Sequence, residues 1–413
     1  MKLPVATRYA LRSLFRHRRR TILSVVGIAV GCGICLFMIS FVRGEGEMMM
    51  RAAAESGTGH LRIAPREWVR TRTFDARLDN GPALLREVRK LDAVKVAAPH
   101  ARVGGLLAMG TRTAAVTLCG VLPSVEPRIN RLVQTVQEGT YLEPGQANQV
   151  VVGHGVAQRL DVGVGDDLMV TASGVDGQMR SEMLRVQGIV RTGSQQLDAS
   201  LCHVALETVE SLTGADGPAE ISLLLHDPDQ SEAVAEHVRD LISSGQAVVG
   251  WEVIVPELAS GVEVDETWTR LTVGIVVVVV FLGIASAQLA AVLERRREFA
   301  VLSALGMRGG RLVRVMLAEG VFLGAGGAVA ALFVGAPFCY WSSTAGIDFG
   351  GMYGEMDLGM SNILLEPIIY GEFGWWLVPM AFGLSLVATL LSSVYPAWYA
   401  SRTDPAEALR VEQ

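Results

Sequence analysis

A run of 23 residues, Leu271 to Leu293, carries no charged side chain and holds five consecutive valines, Val276 to Val280, near its centre. An α-helix of that length reaches roughly 34 Å, enough to cross the hydrocarbon of a bilayer, and no soluble core needs an apolar run so long. The run stops abruptly at Glu294-Arg295-Arg296-Arg297. Three further runs of similar character lie at Thr21–Val42, Val315–Phe338 and Trp375–Pro396, so the sequence predicts four membrane spans. A chain that is 50% hydrophobic and only 19% charged suits a few spans plus one folded domain better than a soluble protein.

The charges are sorted by segment, and the sorting sets the expected orientation. Residues 1–20 hold seven Lys+Arg, the 295–314 loop holds six, and residues 337–374 hold none against five acidic side chains. By the positive-inside rule both termini and the 295–314 loop face the cytoplasm. The expected order is a cytoplasmic amphipathic helix at 1–20, spans at 21–43, 268–293, 315–338 and 375–396, an outer loop at 339–374 and a cytoplasmic tail at 397–413. The run at Thr21–Val42 exceeds the core of an ordinary signal peptide, and an uncleaved first span is the preferred reading.

Residues 44–267 lie between the first two spans and read as an extracytoplasmic domain. An apolar run at His60–Ile63, a helical pattern at Pro82–Leu91 and a run at Val94–Ala98 make one β-α-β set; Ile221–Leu225, Ser231–Ser243 and Ala247–Val255 make a second. Two such sets pair into a split β-α-β lobe, and residues 101–218 between them read as an inserted, mostly-β lobe. The expected fold class is therefore an α-helical membrane domain of four spans carrying a large α+β periplasmic domain.

Catalytic chemistry is not written in the chain. Its seven histidines show no metal-ligand spacing, and Gly153-His154-Gly155 lacks the rest of a phosphate-binding fingerprint. His203 and His226 read as surface or satisfied core residues. Cys32 and Cys35 sit inside the first span, where small residues serve helix packing, whereas a disulfide between Cys119 and Cys202 is left open. The three lysines, Lys2, Lys90 and Lys95, stand in no GxxxxGK[ST] loop, so no ATPase site, cofactor site or metal site is expected in this sequence.

What remains is a segment too short to cross the membrane, held between two spans. Glu298 to Leu305 has Phe299, Leu302 and Leu305 as apolar residues, Glu298 at the electropositive helix start and Gly306 as a C-cap. From composition alone it is either an interfacial turn resting on lipid or a docking element. In the spans, Gly27 and Gly31 form a GxxxG pair, while Gly320, Gly324 and Ala328 form a second small-residue stripe.

The string EFAVLSALGM after a basic span end resembles the coupling helix of the ABC-transporter permeases grouped with FtsX, MacB and the lipoprotein-releasing proteins LolC and LolE. The resemblance extends to RSLFRHRRRTILSVVGIAVG, to GHGVAQRLDVGVGDDL and to the tail YPAWYASRTDPAEALR, in which Asp404, Pro405 and Glu407 form a helix-start signature. It implies that Glu298, Phe299, Val301, Leu302, Leu305 and Gly306 contact a separate cytoplasmic ATPase dimer, which would bind the ATP. It also implies that Gly27, Gly31 and Gly283 face a second permease copy or paralogue and line a lipid-accessible cavity. The expected function is a permease subunit in a bacterial inner membrane that extracts a lipoprotein or lipophilic substrate, with membrane lipid and a periplasmic lipoprotein, carrier or adaptor as further partners and no nucleic acid. A MacB-like efflux component and an FtsX-like regulator of a periplasmic hydrolase remain as alternatives.

Overall fold

The computed structural model describes residues 16, 18–71, 76–294, 301, 309–349, 359–360, 363–364 and 368–401. These divide into two compact units: residues 1–46, 264–348 and 368–413 form one, and 47–263 with 349–367 form the other.

Along the chain run helix α1 (Arg18–Ala54), strand β1 (Leu61–Pro65), helix α2 (Gly81–Val88), and strands β2 (Val94–Met109), β3 (Arg112–Val121), β4 (Val136–Gly139) and β5 (Gln149–Gly153). Helix α3 (His154–Leu160), strands β6 (Asp167–Ser173), β7 (Met179–Val190) and β8 (Leu201–Ala205), helix α4 (Leu206–Thr213), β9 (Glu220–Leu225), α5 (Ser231–Leu241) and β10 (Gln246–Gly250) follow. Three long helices close the order: α6 (Pro256–Glu294), α7 (Gly309–Ala345) and α8 (Leu377–Ser401).

Four of these helices are long and apolar enough to cross a membrane: α1 from Thr21, α6, α7, and α8 to Tyr399. Helices α1, α6 and α7 have 37, 39 and 37 residues, or about 55 Å of length, and so outrun the roughly 30 Å of hydrocarbon. Read from the sequence, the second span begins at residue 268, but the helix begins at Pro256. Proline suits a first helical position and Glu257 its first turn, and the polar stretch that follows keeps the helix going.

Small residues let the spans approach. A Cβ on Gly324 would stand 3.1 Å from Leu386 of α8, Gly335 of α7 meets the backbone of Gly33 in α1, and Gly327 meets Ile28. Hydroxyls then bind the touching backbones: Ser385 Oγ donates to the Gly324 carbonyl at 2.7 Å, and Ser392 Oγ to that of Phe281 at 3.0 Å. The side-chain amide of Gln288 donates to Ser393 Oγ at 2.9 Å, so this buried seam has partners inside the unit. At the other end of α1, Glu372 is held by the backbone and hydroxyl of Ser40 and by Arg43 at 3.5 Å.

Between α7 and α8 the described residues form two short ladders. Ile347–Asp348 pairs with Ile368–Ile369, and Gly359–Met360 with Ile363–Leu364, each as a two-residue antiparallel ladder. β-branched residues at paired positions favour an extended backbone.

In the second unit β1 lies between β9 and β10 and is antiparallel to both, while β9 lies between β1 and β2 and is antiparallel to both. Strands β1 and β2 therefore run parallel with β9 between them, and β9 and β10 run parallel with β1 between them. Helices α2 and α5 cover this sheet, placing Leu84, Val88, Val234 and Val238 on Ile63, Ile221, Leu223 and Ala97.

Strand β2 then leaves that sheet. Residues 94–100 pair with β9, and from Ala101 onward it pairs with β3 and β6. The pairing β2-β3-β8-β5-β7-β6 returns to β2, so six strands close into a barrel filled by Leu107, Leu118, Val150, Leu168, Leu184, Val204 and their neighbours. Helices α3 and α4 add Val156, Leu160, Val209 and Leu212 to the same core. Gly153 and Gly155 open α3 because a Cβ at either would stand within about 3 Å of the backbone at Asp198 and Ala199; close approach, not anion binding, explains that pair.

Candidate functional site

Helices α6 and α7 emerge from a packed base toward the 295–308 segment. Val292 of α6, Val313 and Met316 of α7 and Ala397 of α8 form one apolar cluster, with Met316 and Ala397 buried. This joins the ends of three spans, so a force applied between residues 294 and 309 acts on all three. Of the residues expected to contact an ATPase, Val301 is helical and 46% exposed. Glu298, Phe299, Leu302, Leu305 and Gly306 lie outside the described residues, as do the first fifteen residues and the signature at Asp404, Pro405 and Glu407.

The three span glycines sit in different environments. Gly31 is buried, and a Cβ there would meet Val280 of α6, within the same chain. Gly27 and Gly283 are exposed with nothing within 4 Å of a Cβ. Around them Leu23, Val26 and Val30 of α1, and Ile275, Val279 and Leu282 of α6, are about half exposed or more, leaving bare apolar faces for lipid or a partner span. Gly320 and Gly324 pack on Ser393, Thr389 and Leu386 of α8, not on α1.

The bend of β2 in the second unit carries a buried polar cluster that the sequence did not single out. Arg62 of β1, with no exposed surface, forms an ion pair with Glu220 of β9 at 3.0 Å, and Arg102 of β2 approaches the other oxygen of Glu220 at 3.3 Å. Two residues back along β2, His100 Nε2 lies 2.7 Å from Glu126, whose second oxygen accepts from the Asn130 amide at 2.7 Å. The Tyr141 hydroxyl meets His203 Nδ1 at 2.8 Å.

Burial by itself would raise both carboxyl groups; for Glu126 the His100 imidazole and the Asn130 amide outweigh it and hold the group at about 2, and for Glu220 the neighbouring Arg102 and Arg62 outweigh it and hold the group below the ordinary carboxylate value. Burial pushes His203 down to about 4 and the Cys119 thiol up to about 11. Cys119 pairs in register with His203, and Leu118 with Cys202, which puts the two cysteines on opposite faces of neighbouring strands. Both are free thiols. Among the described residues no cluster of three or more His, Cys, Asp or Glu side chains is placed to hold a metal ion.

Four apolar spans around a small-residue seam, a basic loop between the second and third, and a separately folded domain between the first and second define a multi-pass membrane protein with no catalytic constellation in its described residues. Residues 21–241 match the family model described as MacB-like periplasmic core domain, and residues 270–405 match that of the FtsX-like permease C-terminal. The chain belongs to the ABC-transporter permease superfamily that contains FtsX, MacB and the lipoprotein-releasing proteins.

The "Lipoprotein-releasing system transmembrane protein LolC" of Xylella fastidiosa (strain 9a5c) is 25% identical over 76% of this chain and 78% of its own length. Its namesake from Neisseria meningitidis serogroup B is 24% identical over 95% of this chain and 94% of its own. "Macrolide export ATP-binding/permease protein MacB 2" of Aeromonas hydrophila is 23% identical over 98% of this chain but 60% of its own length. Among solved structures, the extracellular domain of YknZ from Gram-positive bacteria matches 46% of this chain with a TM-score of 0.34 and 17% identity.

Proposed function

We propose that the chain is the permease subunit of an ABC transporter that draws a lipoprotein or another lipophilic substrate out of the inner membrane, driven by a separate cytoplasmic ATPase. Membership of the permease superfamily is the observation that carries this reading. Relatives named for lipoprotein release favour the substrate class, and the apolar cluster of Val292, Val313, Met316 and Ala397 gives residues 295–308 a firm base through which to move the spans. In this reading both termini are cytoplasmic and Glu298, Phe299, Val301, Leu302, Leu305 and Gly306 dock on the ATPase. ATP binds there and not on this chain, and the periplasmic domain swings as a lever toward a lipoprotein, carrier or adaptor.

Phe299→Ala removes an apolar anchor from that docking element. At roughly 2 kcal/mol for a buried phenyl ring, affinity for the ATPase should fall about thirtyfold, with insertion of the spans unchanged. Co-purification with the ATPase and stimulation of its turnover are the readouts, and wild-type values for both would refute the docking role. An intact, ATP-dependent complex that releases no lipid-anchored protein from vesicles would instead favour the regulator of a periplasmic hydrolase or a MacB-like efflux component.

Four spans are too few to enclose a passage, so the reading needs a second permease chain, identical or paralogous. Gly27→Leu and Gly283→Leu add side chains where this chain leaves open space, and each should insert normally yet lose pairing and release. Gly31→Leu drives a side chain into Val280 and should disturb the protomer itself. Cysteines at 27 and 283 that never crosslink between chains would refute the interface.

A further inference from the structure

The cavity at the bend of β2 plays no part in the transport reading and does not rest on it. Its volume is about 140 Å³, and its wall includes Ser56, Arg102, Thr117, Cys119, Ser200 and His203. At about 30 Å³ per water molecule it has room for some four or five waters or one small solute.

The wall can be taken group by group, asking which hydrogen-bonding capacity is already used. Both oxygens of Glu126 are engaged, by His100 and Asn130, and both of Glu220 face an arginine. The hydroxyls of Ser56 and Ser200 donate to the carbonyls of Ala52 and Gln196. A cation entering the cavity would therefore find the carboxylate of its wall, Glu126, already engaged.

The unspent groups are of the other kind. Arg102 pairs through its Nε with Glu220 and stands in register with Cys119, which leaves further guanidinium N–H groups at the cavity wall. Thr117 has no hydrogen-bond partner for its hydroxyl among the described residues. His203 has Nδ1 on the Tyr141 hydroxyl, has no protein partner for Nε2 among the described residues, and is only 7% exposed. Strand register sets these groups side by side: Arg102 of β2 opposes Cys119 of β3, which opposes His203 of β8, with Thr117 two residues along β3 on the same face.

We propose that this cavity is a binding site for a small carboxylate, held by Arg102 with Thr117 and His203. A carboxylate supplies acceptors to a planar guanidinium and to a hydroxyl, which is what the wall lacks. Glu126 and Glu220 oppose it at longer range, so the site suits a single monovalent group and disfavours polyanions.

The full chain in detergent tests this, with sodium acetate as the probe against sodium chloride at equal ionic strength. Acetate should raise the unfolding temperature saturably and chloride should not; Arg102→Gln should weaken the acetate dependence at least tenfold, and Thr117→Val severalfold. Should Arg102→Gln fail to fold, Thr117→Val alone decides. A capped aspartate amide that binds tenfold more tightly than acetate assigns the carboxylate to an acidic side chain of a partner protein, and equal or weaker binding assigns it to a free acid. No saturable effect from either probe, or one undiminished by the substitutions, overturns the proposal.

Discussion

Replacing Glu220 by alanine should destabilise the strand-bearing unit by about 3 to 5 kcal/mol, the largest loss expected from any single change to that unit. The carboxylate is 3% exposed and stands between Arg62 and Arg102. Its removal takes a carboxylate away from the Arg62 guanidinium, which has no exposed surface, and from that of Arg102, in a medium that solvates ions poorly. The face of Trp68 lies 5.5 Å from the Arg62 guanidinium, a contact worth about 1 kcal/mol. Changing Glu220 to Gln keeps one acceptor and should cost less. Changing Glu220 to Leu together with Arg62 to Met should cost less than the sum of the single changes, because the two groups share one ion pair that is lost only once. Denaturant unfolding of the full chain in detergent, followed by tryptophan fluorescence, gives the numbers. A loss below about 1 kcal/mol for Glu220→Ala would show that water reaches Arg62 and that the pair is not a structural lock.

How much of this was legible in the residues depends on whether local pattern or long-range pairing decides the feature. The four long apolar helices were legible because 20-odd apolar residues have few other uses. The elements of the β1, β2, β9 and β10 sheet announced themselves as short apolar runs around helical patterns. Closure of the barrel did not, since alternation along β6 or β7 says which side chains face inward but not which neighbour each edge finds. The 16 residues of β2 were harder still: one strand serves two sheets, and the sequence signals only its first half as strand.

The polar cluster was hidden for a related reason. Arg62 sits in LRIAP, where alternation makes it look like the outward residue of a half-buried strand; every residue of β1 is in fact buried. His203 was read as a surface or satisfied core residue and is buried, with a tyrosine hydroxyl 2.8 Å from Nδ1 that lies 62 positions earlier in sequence. No spacing rule joins Arg62, His100, Glu126 and Glu220; the fold alone makes them neighbours. Glycines show the same limit, since small-residue stripes mark close approach without naming the partner. Gly31 meets the second span of its own chain, Gly324 meets the fourth, and Gly27 meets nothing within it.

Acid should weaken the same unit in two adjoining steps, and His203 supplies the first. Burial holds its imidazole at about 4 against an ordinary 6.5, with Glu126 pulling upward and His100 and Arg102 pushing down. Above pH 6.5 neither the folded nor the unfolded chain holds the proton; between 6.5 and 4 only the unfolded chain does, so stability falls as pH falls and levels off below 4. The depression of about 2.5 pH units corresponds to roughly 3 kcal/mol at most. Glu126 supplies the second step: its folded carboxyl titrates at about 2 against 4.5, so the stability present above 4.5 is lost as pH falls toward 2. His203→Phe keeps a ring edge-to-face with Tyr141 but holds no proton. It should lower stability at neutral pH by stranding the Tyr141 hydroxyl, yet flatten the slope between pH 6.5 and 4 while leaving the steeper loss below 4.5. Unfolding midpoints measured across that range separate the two groups, and a variant that kept the wild-type slope above pH 4.5 would show that His203 is not the residue that takes up the proton.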